Sequence, residues 1–299
     1  MTTTDLSALV PPVFDAPDNQ RGEATLPLRY EDIAQDGRLG CRAMTHSLGP
    51  TLWERVLVQH PMSRPLAALG IVPILSRLSV VSLESPIGFG RRPITRGAFQ
   101  LARAVDPRGR TRFRLDMAVA IEGVLGRTHG PAPEGAGRLL SLGRVHAEHV
   151  LTRPFGPPEA RRVDALHEGL GITAVEASWH EPEASLALPA GARWLEQAAR
   201  RDPHVLALGL GHTDSNQHVN SLVYPLAIEE AALRHAARPR TASFCHHFEL
   251  AFRKPFFAGE QLAVELQAYE RGAAFGVIAR CLDAVTGEAR TYGRLELVA

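Results

Sequence analysis

One order of elements is written twice in this sequence. Residues 24–30, ATLPLRY, suit a short edge strand, and GPTLWERVLVQH from Gly49 reads as a helix with Pro50 in its first turn. Strand-like runs follow at 76–87, 94–105 and 111–123, and the turn composition of DPRGR at 106–110 makes the last two a hairpin. Further on, HVLALGLG at 204–211 leads into the polar turn HTDSNQHVN and then a helical stretch at 221–237. Four more strand-like runs close the chain, at 242–254, 260–272, 273–284 and 288–298. A strand, a helix and a run of antiparallel strands form a unit in which one helix covers one face of a sheet. The predicted fold class is therefore α+β, with two such units in tandem.

Between the two copies, Gly, Pro and Ala punctuate the chain at RTHGPAPEGAG, RPFGPP and LPAGA, the composition of a long connection. The predicted organisation is a tail or body-hugging arm over 1–23, a first domain over 24–127, a connecting segment over 128–202 and a second domain over 203–299. With 45% hydrophobic and 22% charged residues, a chain of 299 residues is no disordered polymer and can bury a core without staples.

Charge and cysteine usage narrow the function classes. A formal net charge of +1 lacks the basic stripe that displaces counterions from phosphates, so no nucleic-acid partner is expected. Lys254 is the only lysine, which fits a GC-rich coding bias. Cys41, Cys245 and Cys281 are odd in number and widely spaced, which disfavours both a disulfide framework and a thiolate zinc site. The first residues carry no basic start followed by an apolar run, and no apolar stretch approaches a membrane span. The expectation is a cytoplasmic protein with no membrane partner.

The sharpest local signal is Asp214, Asn216, His218 and Asn220, four polar residues spaced by two between a strand and a helix. In extended chain that spacing sets them on one side. A carboxylate, an amide and an imidazole just before a helix start supply a general base and hydrogen-bond donors, and the first turn adds unpaired backbone N–H groups for a developing oxyanion. That is the equipment of acyl transfer or hydrolysis. The same letters also suit a self-contained hydrogen-bonded turn, with Asn220 or Ser221 as the helix cap.

The run DSNQHVNSLVYPLAIEE from Asp214 resembles the helix-start signature of hotdog-fold thioesterases, most closely the acyl-ACP thioesterases, where D-x-N-x-H-V-N-N precedes a Tyr and later a Glu. It is similar as well to the 4-hydroxybenzoyl-CoA thioesterase type. Asp214, Asn216, His218, Val219, Asn220, Tyr224 and Glu230 fall at matching places, and the stretch FRKPFFAGEQLAVEL agrees with the strand after the helix. The resemblance implies two tandem hotdog domains, each with an antiparallel sheet wrapped around a central helix. It implies that Asp214 and His218, with Asn216 as partner, activate water or the substrate carbonyl, with Glu230 a second base and its neighbour Glu229 an alternative. It further implies that backbone amides near Asn220 and Ser221 hold the thioester oxygen beside Tyr224. The implied substrate is an acyl-CoA or acyl-carrier-protein thioester of fatty acid or polyketide metabolism, with no cofactor and no metal, in a monomer or a homodimer of double-hotdog chains.

The resemblance has gaps. The plant enzymes place a Glu and a Cys after YRR in the following strand, and here FRKPFF puts Pro255 and Phe256 there. Pro225 falls near the first turn of the helix, where it removes a backbone donor. The first half offers Gln35, Asp36, Gly37, Arg38 and Leu39, then His46 and Glu54, without the D-x-N-x-H spacing, so the second half is the expected site. Elsewhere GLGITA at 169–174 matches a dinucleotide pattern but lacks a following helix, and no G-x-S-x-G elbow occurs. His246 and His247 are adjacent and point to opposite faces of any strand. Two rivals to a thioesterase stay open: a hotdog acyl hydratase or dehydratase, and a catalytically silent acyl-thioester binding protein.

Overall fold

The computed structural model describes residues 9–166, 169–236 and 244–298. Two compact units divide at Glu181 and Pro182. In the first, strands β1 (Arg21–Thr25), β2 (Val72–Ser82), β3 (Ile94–Val105), β4 (Thr111–Val124) and β5 (Leu139–Thr152) form an antiparallel sheet in the order β1-β3-β4-β5-β2. A two-residue strand, β6 (Val175–Glu176), adds to β3 in parallel. The β3–β4 hairpin is held by Asp106, whose carboxylate accepts the backbone N–H groups of Arg108 and Arg110, both at 3.0 Å. Hydrogen bonding from Arg110 holds that carboxyl far below the usual carboxylate range.

Helices α1 (Cys41–Thr45) and α2 (Ser63–Ala68) flank a π-helical segment, Gly49–Leu57, in which the Val58 N–H reaches back five residues to the Trp53 carbonyl at 3.1 Å. The segment lies against β1 and β3. Gly22 makes that approach possible, because a Cβ on it would fall 1.9 Å from the Thr51 carbonyl oxygen. Thr51 then donates its hydroxyl to Thr95 at 2.7 Å, and Thr95 donates onward to the Ala24 carbonyl.

The second unit has the short strand β7 (Arg193–Trp194), β8 (Arg200–Ala207), α3 (Val223–His235), then β9 (Phe244–Phe252), β10 (Gln261–Arg271), β11 (Ala274–Asp283) and β12 (Ala289–Val298). Its sheet runs β9-β12-β11-β10, with β7 and β8 on the outer edge of β10. Pro203, with no N–H to give, is tolerated in β8 because that strand is at the edge, and the register to β10 shifts beside it. The strand order therefore repeats that of the first unit, with β8 in the place of β1 and β9 in the place of β2. On α3 the buried residues Tyr224, Ala227, Ile228, Ala231 and Ala232 recur every three or four positions, and this stripe packs on the sheet.

The structure corrects several sequence expectations. The stretch 128–202 is no plain connection. Its residues 139–152 form the long strand β5, paired on both sides, and the boundary between units lies at 181. Of the arm expected over 1–23, residues 21–23 belong to a strand. Val10 is fully buried and its carbonyl accepts the Arg144 guanidinium, and β1 starts at Arg21, earlier and shorter than the expected 24–30. Residues 1–8 of the predicted tail, Ala237 at the predicted helix end, 242–243 at the start of the following strand and Ala299 lie outside the described residues. The predicted strands over 94–105, 111–123, 260–272, 273–284 and 288–298 match β3, β4, β10, β11 and β12 to within a residue or two.

Candidate functional site

The segment ahead of α3 is a tight turn and not the extended run that the spacing by two suggests. The Asp214 N–H donates to the His218 carbonyl at 2.9 Å and the Gln217 N–H to the Asp214 carbonyl at 3.0 Å. Gln217 takes φ 63°, and Thr213 and Val219 bridge below. This is a three-residue hairpin loop with a left-handed residue at its end. The left-handed residue breaks the alternation that would have aligned Asp214, Asn216, His218 and Asn220.

Within it the predicted residues part company. Asp214 and Asn216 are exposed, and the Asp214 Oδ1 accepts the Asn216 N–H at 2.8 Å, which satisfies that oxygen inside its own turn. His218 is half-buried and its ring meets Phe257 edge to face, centroids 5.3 Å apart. Asp214 and His218 are joined through backbone and not through their side chains. The Asn220 N–H is committed to the His212 carbonyl at 2.8 Å, so it cannot serve an oxyanion. Asn220 instead starts the helix, its Oδ1 accepting the Leu222 N–H at 2.9 Å and its carbonyl the Val223 N–H at 3.0 Å. The Ser221 N–H makes no hydrogen bond among the described residues, which leaves it as a free donor at this helix start. Pro225 is the third helical residue, a place with no partner for an N–H, so it does no harm there.

Two predicted residues stand elsewhere. Glu230 is exposed on the side of α3 opposite the buried stripe, 3.8 Å from Arg234, which itself pairs with buried Asp202. At 100° per residue, position 230 lies away from Tyr224 and Ile228 on the helix surface. Glu229 beside it is half-buried. Tyr224 is 2% exposed and cannot line a binding surface. Its hydroxyl accepts the Phe256 N–H at 3.4 Å, its ring meets Phe252 and Phe256, and burial pushes the phenol far above its usual range.

Sequence reasoning missed the partner of the turn, the loop after β9. The Val219 N–H donates to the Phe256 carbonyl at 2.8 Å, and His218 bridges to Phe257. The Phe257 N–H donates to Glu260 Oε2 at 2.8 Å, and Arg290 donates to the same oxygen at 2.7 Å and to the Pro255 carbonyl at 3.2 Å. The Arg290 guanidinium lies 4.6 Å over the buried Phe256 ring. The signal was present as PFF, three consecutive apolar residues in a turn, at the position where the resemblance showed a departure.

His246 and His247, set aside as joint ligands, are both fully buried in β9, with His246 Nε2 3.4 Å from Glu296. Burial drives the Glu296 carboxyl up, but the nearby His246 imidazole and the Arg271 hydrogen bond outweigh it and hold the group at about 2. Burial pushes His247 down to about 3. No group of His, Cys, Asp and Glu fit to hold a metal ion occurs among the described residues.

The first unit contains the same turn, residue for residue. The Ala34 N–H donates to the Arg38 carbonyl and the Gly37 N–H to the Ala34 carbonyl, both at 2.9 Å, Gly37 has φ 86°, and Ile33 bridges to Leu39. The Gly40 N–H donates to the Asp32 carbonyl as that of Asn220 does to His212. Even the lead-in recurs: the Arg29 N–H donates to the Asp32 carboxylate where the Gly209 N–H donates to His212 Nδ1. Ala34, Asp36, Arg38 and Gly40 thus stand where the second unit has Asp214, Asn216, His218 and Asn220.

Solved structures resemble the chain over nearly its whole length. An acyl-ACP thioesterase from Bacteroides thetaiotaomicron superposes with a TM-score of 0.58 at 16% identity, covering 94% of this chain and 98% of that one. A 12:0-ACP thioesterase from Umbellularia californica gives 0.56 at 14% identity, covering 95% and 99%. The chain has the hotdog fold. No protein-family model matches the sequence, and no curated protein does. The hotdog fold thus appears here on structure and a short motif, with the rest of the sequence far diverged. Among the described residues no helix is long and apolar enough to cross a membrane.

Proposed function

We propose that this protein is an acyl thioesterase built of two hotdog domains in tandem, with the reactive site in the second. What supports the reading is a half-buried imidazole, His218, in the turn that leads into α3, with the Ser221 N–H unbonded three residues further on. In this reading His218 takes a proton from water as the water oxygen attacks the thioester carbonyl carbon. The developing oxyanion takes the Ser221 N–H, and the C–S bond then breaks, the thiolate leaving with the proton. A positioned base contributes roughly 10²–10⁴-fold and an oxyanion donor roughly 10²–10³-fold. Asp214 and Asn216 shape the turn and face the approaching substrate.

The substrate is an acyl-CoA or an acyl-carrier-protein thioester, as for the acyl-ACP thioesterases that share the fold. Cysteines that form no disulfide fit a reducing cytoplasm, and the chain works as a monomer or a homodimer without a cofactor. One observation favours a second reading, a silent acyl-thioester binding protein: the Asp214 carboxylate bonds its own turn, and among the described residues no acidic side chain bonds His218.

Release of free thiol from a panel of acyl-CoA and acyl-carrier thioesters, by wild type, His218→Ala and Asp214→Ala, decides between them. The thioesterase reading expects turnover that collapses in His218→Ala. Absence of thiol from every substrate, or a His218→Ala variant as fast as wild type, overturns it. An enoyl-CoA absorbance assay then tests hydration.

A further inference from the structure

We propose that Phe257 is a positioning residue for the His218 imidazole, set in place by Glu260 and Arg290. The proposal rests on the reading of His218 as the reactive base. A base in hydrolysis is commonly oriented by a hydrogen-bonded third group, yet the His218 ring makes no side-chain hydrogen bond among the described residues. What it touches is the Phe257 ring, with the planes at 81°. Edge-to-face packing fixes the tilt of an imidazole as firmly as its contact partner is itself fixed.

Phe257 is fixed unusually well for a residue 43% exposed. Its backbone bridges that of His218, so the two rings are carried on paired backbone segments. Its N–H is tied to Glu260, Glu260 to Arg290, and Arg290 to Asp283 and the Pro255 carbonyl. The Arg290 carbonyl in turn accepts the N–H groups of Arg253 and Lys254, at 2.9 and 3.1 Å, closing the loop on β12. On the other side Phe256 is anchored by the Tyr224 hydroxyl. The bracket from 253 to 260 is thereby tied to both α3 and β12, and the side chain it sets against His218 is an aromatic ring. Core packing does not account for so exposed a ring, whereas orienting His218 does.

The test reads activity and the imidazole separately. Phe257→Ala is expected to lower kcat about 10- to 100-fold, the scale on which a misplacement near 1 Å acts, while KM for an acyl-CoA stays near the wild-type value. Phe257→Tyr, which keeps the ring, restores most of kcat. In the His218→Ala background Phe257→Ala adds no further loss, because the two act as one unit. In proton NMR the His218 ring lines, identified by their loss in His218→Gln, shift in Phe257→Ala and Phe257→Leu as the ring current disappears, and hold in Phe257→Tyr. Phe257→Leu keeps the volume, so the test stands even where the alanine variant fails to fold.

Unmoved His218 lines in the leucine variant overturn the proposal, and so does a kcat loss of the same size in the His218→Ala background. Should wild type release no thiol from any substrate, the thioesterase reading falls, and the NMR arm alone decides whether Phe257 orients His218.

Discussion

The turns at 34–38 and 214–218 have the same main-chain hydrogen bonds, the same bridge beneath and the same left-handed residue at the end, yet they present opposite chemistry. The second displays a carboxylate, an amide and an imidazole. The first displays a methyl group at Ala34 and an internal ion pair, Arg38 Nε to Asp36 Oδ2, at 2.5 Å with both side chains largely sheltered. A guanidinium carries donors and no acceptor, and the Asp36 carboxylate is paired with that of Arg38. The helices downstream of the two turns differ too. The second turn feeds one regular helix of 13 residues, and the first a single α-helical turn and then the π-helical segment drawn onto Gly22. The backbone of this turn is thus a scaffold indifferent to its cargo, and function has to be read from the four side chains.

The largest effect expected from breaking the symmetry is kinetic. His218→Ala should cost roughly 10²–10⁴-fold in kcat/KM, while Arg38→Ala, at the matching place, leaves thiol release near wild type. Equal losses in the two variants would mean that both turns serve the chemistry.

Acid separates the units by a buried histidine in each. Burial, with the like charge of His146 adding to it, pushes His149 in the first unit down to about 4, and burial pushes His247 in the second to about 3. Both are neutral in the fold and bind a proton more readily when unfolded, so stability is full above about pH 6.5 and is lost as pH falls toward the folded values. The loss reaches about 3 kcal/mol for His149 and continues to lower pH for His247. Urea unfolding at pH 7, 5.5 and 4.5 should give a slope that flattens by a similar amount in His149→Phe and in His247→Phe, and the two variants part only below about pH 4, where His247 alone goes on losing stability. A slope unchanged in both variants would put the acid sensitivity elsewhere.

Smaller effects come from the left-handed position. Gly37→Gln forces a side chain into φ 86°, where a Cβ would stand 2.6 Å from that of Pro86, and should destabilise by about 2 kcal/mol or more in a urea titration. Gln217→Gly, the reverse exchange, should change stability by less than about 1 kcal/mol. Smallest of all, Asn220→Ala removes the oxygen that receives the Leu222 N–H and should cost about 1 kcal/mol, whereas Gly40→Ala, lacking that bond, shifts the melting temperature little.

Much of the fold was legible because β3, β4, β10, β11 and β12 are rich in apolar residues over strand-length runs and are separated by turn residues. The strand β5 was hidden by its own charges. Arg144, His146, Glu148 and His149 read as surface, and only coordinates reveal that Glu148 meets Arg114 at 3.2 Å and that His149 lies against Trp53. At the site, the residue types were legible and their geometry was not. One left-handed residue, Gln217, converts a period of two into a closed loop, and nothing in the letter Q announces it. Glu230 is a different case: the stripe of Tyr224, Ala227, Ile228 and Ala231 already sets it on the far, exposed side of α3.

The hydrogen bonds that shape the duplicated turn are almost wholly main chain to main chain. Point mutation can therefore erase or rewrite what the loop displays without disturbing its shape. In either unit the turn is a socket whose contents can be exchanged while its form persists, open to a laboratory's choice of new side chains.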